Sequence, residues 1–339
     1  MKNILVTGGL GYIGSHTVLE LIARGYEVFV IDNLSNSHID TLDRIEKISG
    51  KRPAFFEFDL CDKDRVDKFF SQNQIDSVIH FAASKAVGES MQVPLKYYRN
   101  NLLPLMNILE AMIAYNVDRI VFSSSCTVYG QPDKLPVDEK APVQKAESPY
   151  GNTKQISEEM IADTVRASES MKAISLRYFN PIGAHESALI GELPIGTPNC
   201  LVPYVTQTAI GVREQLTIHG DDYDTPDGTC IRDYLHIVDL AEAHINAIEY
   251  MHDGGNKDRI GYFNLGTGRG YSVQEVVDEF EKVTEQKLNY KIGPRREGDV
   301  EEVYADPSLA EKELKWKAKR GLGEMLKSAW EWEKNYRKN

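Results

Sequence analysis

The sequence predicts an α/β fold: a doubly wound parallel sheet with a smaller, interleaved C-terminal α/β domain. In the first half, short apolar runs rich in β-branched residues alternate with stretches of helical periodicity, which is the pattern of parallel strands joined by crossover helices. In the second half this alternation weakens, and glycine and proline concentrate at 180–199, as in a loop-rich cap. With 339 residues the chain is long enough for two domains. We expect them at 1–180, with a return segment near 232–252, and at 181–339.

Composition and charge restrict the kind of partner. The 39 basic and 51 acidic residues give a formal net charge of -12, which argues against nucleic acid or an anionic membrane as the main partner. Glycines break the apolar N-terminal run too early for a signal peptide, and the apolar-rich segment 102–115 is too short to span a membrane. The cysteines are widely spaced without a zinc-type arrangement, which predicts reduced thiols in a cytoplasmic protein and no metal site. They are Cys61, Cys126, Cys200 and Cys230.

A strand at Asn3–Thr7 leads into a glycine-rich turn at 8–14 and then into a helix at 15–24. Glycines at positions 8, 11 and 14 allow a tight turn and a close approach of backbone amides to a pyrophosphate, and those at 9, 11 and 14 fit a second accepted spacing. The next strand, 27–31, ends in Asp32, where an acid accepts hydrogen bonds from an adenosine ribose. This pattern predicts a Rossmann-type unit that prefers NAD to NADP, because a carboxylate repels a 2′-phosphate. The alternative is that Asp32 is only a turn residue.

The alternation continues along the chain. It predicts strands at 53–58, 77–81 and 119–122 and helices at 64–70 and 97–115. Asp59, Lys85 and Ser125 stand where these three strands end or just beyond, and the carboxyl ends of parallel strands lie along one edge of a sheet. We therefore expect these residues to meet around a ligand. Later patterns predict helices at 202–211, 239–252 and 273–285 and strands at 216–219 and 263–265.

The segment Ser148-Pro149-Tyr150-Gly151-Asn152-Thr153-Lys154 predicts the start of a helix, with Ser148 as N-cap and Pro149 as first helical residue. Tyr150 and Lys154 are four residues apart and therefore lie on one face of that helix. A phenol ionises near pH ~10, and an ammonium held nearby favours the phenolate. The two residues are thus a candidate base and its activator. An ordinary exposed pair on a surface helix is the alternative.

These features together resemble the extended short-chain dehydrogenase/reductase family over nearly the whole chain. Further stretches carry the resemblance, at 32–37, 80–90, 123–130, 177–181, 232–234 and 294–299. Within that family, the chain is most similar to enzymes that invert C4 of UDP-sugars. The resemblance implies interconversion of UDP-glucose and UDP-galactose: bound NAD oxidises C4, the 4-keto sugar rotates, and the hydride returns to its other face.

The resemblance also assigns the site residues. Tyr150 would take the proton of the sugar 4-hydroxyl, Lys154 would lower the pKa of Tyr150 and hold the nicotinamide ribose, and Ser125 would bond the 4-oxygen, although it could instead cap a strand end. The implied NAD-binding residues are Gly8, Gly11, Tyr12, Ile13, Gly14, Asp32, Asn33, Asn36, Ser37, Asp59, Leu60, Phe81, Ala82, Ala83, Lys85, Asn100, Ser123, Tyr150, Lys154, Tyr178 and Phe179. The implied UDP-sugar-binding residues are Ser125, Tyr150, Asn180, Asn199, Cys200, Leu201, Arg232, Tyr234, Arg296, Asp299 and Val303.

Four of these residues have more specific implied roles. Arg232 and Arg296 would bind the diphosphate, although Arg232 could instead form an ion pair with Asp233 or another acid. Asp299 would bind the uridine ribose, and Lys85 a phosphate of NAD. Cys200 stands where many family members carry asparagine, which puts one nucleotide contact in doubt.

Neighbouring activities differ at a few positions. Nucleotide-sugar 4,6-dehydratases and decarboxylating enzymes of the family need an acid just after Ser125, whereas this chain has Cys126 and Thr127. Val303 is small where some members have tyrosine, which implies turnover of UDP-N-acetylglucosamine as well. A main activity on UDP-N-acetylglucosamine or UDP-glucuronate, or a non-catalytic NAD sensor, remain the alternatives. The resemblance further implies a homodimer, through helices at 97–115 and 151–167.

Overall fold

The computed structural model describes residues 2–296 and 300–338. Its strands are β1 (Asn3–Thr7), β2 (Glu27–Asp32), β3 (Ala54–Glu57), β4 (Ser77–His80), β5 (Arg119–Ser123), β6 (Lys172–Tyr178), β7 (Asn180–Ile182), β8 (Leu216–His219), β9 (Ile231–His236), β10 (Ile260–Leu265), β11 (Gly270–Ser272), β12 (Tyr290–Gly293) and β13 (Glu302–Val303). Its α-helices are α1 (Tyr12–Ala23), α2 (Asp40–Ser49), α3 (Lys63–Gln72), α4 (Val87–Gln92), α5 (Pro94–Ala114), α6 (Pro149–Ala167), α7 (Leu201–Ala209), α8 (Ile237–His252), α9 (Val273–Thr284), α10 (Ser308–Glu313) and α11 (Leu322–Lys338).

A seven-stranded parallel sheet lies at the centre, in the order β10-β6-β5-β4-β1-β2-β3. The chain starts at β1, builds outward through β2 and β3, and then returns to place β4 on the other side of β1. Ligands of such sheets bind outside the carboxyl ends of the strands, at this point of reversal. Thr7, Asp32 and Ser123 are strand-final residues along that edge.

Two apolar layers cover the sheet, one on each face. Side chains alternate along β1, so Ile4 and Val6 pack in the cluster that includes α1 and α8, whereas Leu5 packs in the cluster that includes α3, α5 and α6. All three of these residues are 0% exposed, as is typical of parallel strands buried on both faces. The predicted doubly wound α/β fold is confirmed.

The remaining elements form a smaller α/β unit. Strand β9 pairs with β7, β11 and β13, strand β8 pairs with β12, and helices α7, α9 and α11 share one apolar cluster. Between these elements the chain returns to the large sheet, where α8 packs on α1 and β10 forms the outer strand. The second unit is therefore interleaved with the first. The division at residue 180 stays a prediction.

Most predicted elements lie within a few residues of the observed ones. Helix α1 begins at Tyr12 and not at Ser15, because the turn already closes where the Gly11 amide donates to the Gly8 carbonyl (3.1 Å). Four observed elements were not predicted from the sequence: β6, β9, α2 and the C-terminal helix α11. Within 2–296 and 300–338, no helix has the length and apolarity needed to cross a membrane.

Candidate active site

The glycine turn after β1 is tight enough to exclude side chains. Gly8 has a positive φ of 67°, which favours glycine. A Cβ added to Gly14 would lie 2.2 Å from the Gly8 carbonyl oxygen, so α1 could not pack this closely on the turn with any other residue. The N-terminus of α1 has no side-chain cap, and its amides point towards the carboxyl edge of the sheet. This cradle fits a pyrophosphate.

Asp32 is held in a fixed orientation at the end of β2. Its Oδ2 accepts from the Leu10 amide (3.0 Å), and its Oδ1 accepts from the Leu34 amide (2.9 Å) and the Ser37 hydroxyl (2.8 Å). The side chain is therefore built into the loop beside the glycine turn and is more than an ordinary turn residue. A carboxylate in this place can accept hydrogen bonds from a ribose.

A cavity of about 530 Å³ lies further along this edge and contains Asp59 and Asn100, two predicted cofactor residues. It is also lined by Cys61, Leu95, Lys96 and Arg99. Asn33 Nδ2 donates to Asp59 Oδ2 (3.2 Å), which joins the loop after β2 to the loop after β3. Lys96 and Arg99 were not predicted from the sequence, because nothing in their spacing distinguishes them from other basic residues on a helix.

Tyr150 and Lys154 lie on the first two turns of α6, as predicted. Ser148 is the N-cap and accepts from the Gly151 amide (3.1 Å), and Pro149 is the first helical residue. Tyr150 is 8% and Lys154 4% exposed, so the alternative of an ordinary surface pair is wrong. Lys154 Nζ donates to the Ser123 carbonyl (2.6 Å) and lies 5.9 Å from the centroid of the Tyr150 ring.

Burial is the largest influence on the pKa values of this pair. Burial raises the pKa of Tyr150 above its ordinary value, although a hydrogen bond with Ser125 and the charge of Lys85 oppose that shift. Burial also lowers the pKa of Lys154 to about 8. Desolvation of the phenolate is the largest effect on the pKa of Tyr150, and the lowering effect expected of Lys154 stays a prediction.

Ser125 follows β5 and begins the short 3₁₀-helix Cys126–Tyr129. Its Oγ accepts from the Thr127 amide (3.2 Å), so it does cap a backbone turn, and it also lies close enough to Tyr150 to oppose the rise in the pKa of that phenol. The bond from Ser125 to the sugar 4-oxygen stays a prediction. The two residues that follow it, Cys126 and Thr127, supply no carboxylate.

Lys85 forms an ion pair that the sequence analysis missed. Its Nζ lies 2.8 Å from Oε1 of Glu192 and 5.9 Å from the centroid of the Tyr12 ring. The Glu192 carboxylate raises the pKa of Lys85 well above the ordinary value. The Glu192 carboxylate also raises the pKa of Cys200 to about 11. No sequence pattern indicated Glu192, because it lies 107 positions from its partner.

The small sheet brings several predicted substrate residues together. Asn180 on β7 pairs with Tyr234 on β9, and Val303 on β13 pairs with Arg232 on β9. Arg232 Nη1 donates to the Ile231 carbonyl (2.8 Å).

The Asp233 carboxylate accepts hydrogen bonds from Thr267, Gly268 and Ala305. Asp233 therefore fixes the loops that contain these residues. The charge of Arg296 reaches Cys200, the N-cap of α7, which places Arg296 near the predicted Asn199-Cys200-Leu201 contact. The prediction for Asp299 lies outside the described residues. Among residues 2–296 and 300–338, no group of His, Cys, Asp and Glu side chains could hold a metal ion.

Comparison with known proteins identifies the family. A family model described as GDP-mannose 4,6 dehydratase matches residues 5–329. The UDP-glucose 4-epimerase of Bacillus subtilis (strain 168) is 52% identical over 330 residues, which cover 97% of this chain and 96% of the relative. The chain belongs to the UDP-glucose 4-epimerase family. The UDP-glucose 4-epimerase of Mus musculus is 50% identical, with 98% and 97% of the two chains covered.

Solved UDP-glucose 4-epimerase structures share the whole fold. The enzyme of Bifidobacterium longum, in complex with NAD⁺ and UDP, is 45% identical with a TM-score of 0.95 and covers 99% of both chains. The enzyme of Stenotrophomonas maltophila, with bound NAD and formylated UDP-arabinopyranose, is 44% identical with a TM-score of 0.96 and covers 100% of this chain and 99% of that one. The extended short-chain dehydrogenase/reductase family predicted from the sequence is confirmed.

Proposed function

We propose that this protein interconverts UDP-glucose and UDP-galactose by inverting C4 of the sugar. The observation that carries this proposal is the buried arrangement of Ser125, Tyr150 and Lys154 at the same edge of the sheet as the glycine cradle, in a chain that is 52% identical to a UDP-glucose 4-epimerase. A base and a nucleotide cradle at one edge of the sheet are the groups that reversible oxidation of an alcohol requires.

The cofactor proposed for this cradle is NAD, which solved relatives contain. Gly8 and Gly14 would receive its pyrophosphate, Asp32 its adenosine ribose and Lys154 its second ribose. When bound, NAD supplies a reversible two-electron oxidation at C4 and a positive charge beside Tyr150. That charge acts in the direction that the buried phenol needs, because desolvation alone raises the pKa of Tyr150.

Side chains of the protein transfer the proton. Tyr150 removes the proton of the 4-hydroxyl, and Ser125, which also favours the phenolate of Tyr150, bonds the 4-oxygen. After the 4-keto sugar has rotated, Tyr150 returns the proton as the 4-hydroxyl forms again with the opposite configuration. The sugar must therefore be held loosely.

The nucleotide must be held firmly. We assign the diphosphate to Arg232 and Arg296, whose guanidinium groups can bond it in bidentate fashion. Asn180 and Tyr234 lie on the same small sheet as Arg232, and this anchoring leaves the sugar free to turn. The proposed nucleotide domain is 1–180 and the proposed UDP-sugar domain is 181–339.

A dehydratase activity is disfavoured, although the matching family model is described by one. Elimination of water needs a carboxylate beside Ser125, and positions 126 and 127 are Cys and Thr. Two buried carboxylates from other elements, Glu158 and Asp233, already accept hydrogen bonds from Arg177 and Thr267 respectively. The reaction therefore stops at the 4-keto stage and returns.

We further propose that UDP-N-acetylglucosamine and UDP-N-acetylgalactosamine are substrates. Val303 is buried beside Arg232 and packs with Phe179, so its small side chain leaves room next to the sugar. The Campylobacter jejuni protein described as a UDP-Glc/GlcNAc 4-epimerase is 37% identical with a TM-score of 0.85 and covers 99% of this chain. Its similarity supports the broader substrate range.

The proposed assembly is a cytoplasmic homodimer. Helices α5 and α6 pack together, and α5 leaves Met106 and Ile113 45% and 59% exposed, which suits a face shared by two copies. Equilibrium sedimentation that gave the mass of one chain would contradict the dimer. All four cysteines are free thiols, consistent with a reducing compartment.

The direct test is to incubate the purified protein with UDP-galactose and follow UDP-glucose. We expect UDP-galactose and UDP-glucose, each used as the starting substrate, to reach the same equilibrium ratio. Once NAD is bound to the protein, no further NAD should be needed. Bound NAD without any conversion would favour the non-catalytic sensor and reject the proposal.

A further inference from the structure

The buried ion pair between Glu158 and Arg177 adjoins the proposed catalytic residues but takes no part in the chemistry above. Glu158 is on α6, one turn after Lys154, and Arg177 is on β6. Their side chains are 6% and 5% exposed. Arg177 donates through Nη2 to Oε2 (2.6 Å) and through Nε to Oε1 (2.9 Å) of Glu158. A buried pair repays its desolvation only through such geometry and further hydrogen bonds, so its other contacts show what it holds.

Those contacts reach both sides of Ser125. The Ser124 hydroxyl donates to Glu158 Oε1 (2.6 Å). Arg177 Nη1 donates to the Tyr129 hydroxyl (3.0 Å), and its guanidinium lies 5.0 Å from the centroid of that ring. The residue before Ser125 and the residue that ends the 3₁₀-helix after it are therefore tied to one ion pair.

Glu158 also acts on Lys154, because its charge opposes the effect of burial on the lysine pKa, which is about 8. The other titratable groups around this ammonium are Tyr150 on α6, His80 on β4 and Tyr178 on β6. Burial and Lys154 lower the pKa of His80 to about 3, so it is neutral at working pH. Burial raises the pKa of Tyr178, whose hydroxyl bonds Ser123 Oγ (2.6 Å). Among these groups Glu158 alone brings an anion.

We propose that Glu158 is a positioning residue of the epimerase site, which fixes the segment around Ser125 through Ser124 and Arg177 and supplies the counter-charge of Lys154. The inference rests on the proposed function, because it concerns the same proton transfer. A pair that only stabilised the fold would change the free energy of unfolding and leave the pH dependence of catalysis unchanged.

The test is Glu158→Gln, which keeps the shape of the side chain and its acceptor for Ser124. We expect kcat to fall roughly tenfold with KM changed less than about twofold, because the Ser125 segment loses its register. The alkaline limb of the profile of kcat against pH should shift to lower pH by about one unit, because Lys154 loses its proton more easily without the Glu158 carboxylate. The matched control is Glu333→Gln, a buried acid that bonds Arg337 (2.8 Å) on α11, where only stability should change.

An alkaline limb that stays in place in Glu158→Gln, with a loss of stability like that of Glu333→Gln, would overturn the proposal. Ser124→Ala is the second variant, and it tests the proposal in the case that Glu158→Gln does not fold. It keeps the ion pair and removes one bond to the Ser125 segment, so kcat should fall roughly threefold with the pH profile unchanged; an unchanged kcat would contradict the positioning role. If the wild-type protein converts no UDP-galactose, the proposed function itself fails. That result is distinct from any result with the variants, because they are compared with an active wild-type protein.

Discussion

Tyr150 lies where its ionisation is unfavourable without further positive charge. Burial raises the pKa of the phenol, and the ammonium of Lys154 is itself weakened by burial, with a pKa of about 8. A buried phenol ionises only when nearby positive charges or hydrogen bonds favour the phenolate. The positive charge of bound NAD, as proposed above, would favour the phenolate.

The first prediction concerns the Tyr150 hydroxyl. Tyr150→Phe removes the proton acceptor and keeps the ring, so kcat should fall by roughly 10²-fold or more. Binding of NAD should persist, because the glycine cradle and Asp32 are untouched. Steady-state kinetics with UDP-galactose measures the first effect and fluorescence titration with NADH the second. Full activity in this variant would refute the role given to Tyr150.

A second prediction concerns the pocket beside Arg232. Val303→Tyr fills space in the cluster that contains Phe179, and we expect it to lower kcat/KM for UDP-N-acetylgalactosamine by roughly tenfold or more, because an acetamido group no longer fits. The kcat/KM for UDP-galactose should change less than about threefold. Equal loss with both substrates would show that Val303 has no selective role.

Residues were predictable where their signal is local. Asp32, Ser125 and Tyr150 belong to short motifs whose spacing is set by one turn or one helix. Glu158 and Glu192 were missed, because their partners come from distant strands and loops, at separations of 19 and 107 positions. The effect of burial on the Tyr150 pKa could not be predicted either, since spacing shows which charges are near and not how much water the phenol loses.

At the scale of elements, the start of α6 connects stability with catalysis. Ser148 Oγ accepts from the Gly151 amide, and Tyr150 is in the same turn. Ser148→Ala should lower the free energy of unfolding by about 1 kcal/mol and also lower kcat, because the frayed turn carries the base. Ser272→Ala at the capping box of α9 is the control, with a similar loss of stability and unchanged kcat. Urea denaturation measures the stability of both variants, and steady-state kinetics measures their kcat. Equal kcat values in the two variants would contradict the prediction.

Elements with strong local signals were predicted, and those fixed by tertiary contacts were not. Strands β1 and β8 coincide with the predicted bounds. Strand β6 was missed although six of its seven residues are buried, because Lys172 and Arg177 interrupt its apolar pattern. The cation of Arg177 is tolerated inside only because Glu158 from α6 meets it, which no pattern along β6 could show.

At the scale of the molecule, four buried histidines predict the response to acid. Burial lowers the pKa of His16, His80 and His236 to about 3 and that of His244 to about 4, below the ordinary ~6.5 of an unfolded chain. The unfolded state therefore binds more protons, and the stability that these groups give above pH ~6.5 is lost as the pH falls towards 4. Urea midpoints between pH 7 and 4 should fall accordingly.

The control for this slope is a pair of substitutions. His80→Asn, at the side chain that bonds Thr7 (2.9 Å), should flatten the slope, whereas His219→Gln at an exposed position should leave it unchanged. Identical slopes in the two variants would contradict the assignment.

The overall interleaving was only partly predictable. Alternating strands and helices indicated the doubly wound sheet, but not that β10, which lies 82 positions beyond the end of β6, would become its outer strand. Such pairing depends on the apolar clusters that α8 completes with α1, and these form only when the chain is folded.

The central claim is that C4 is oxidised and reduced again within one site. Its most direct test is conversion of UDP-galactose that carries deuterium at C4, with mass analysis of the UDP-glucose formed. We predict that the product retains the deuterium at C4, because the same nuclide leaves and returns without exchange with water. Loss of the label to solvent, or release of a 4-keto sugar in place of UDP-glucose, would contradict the account.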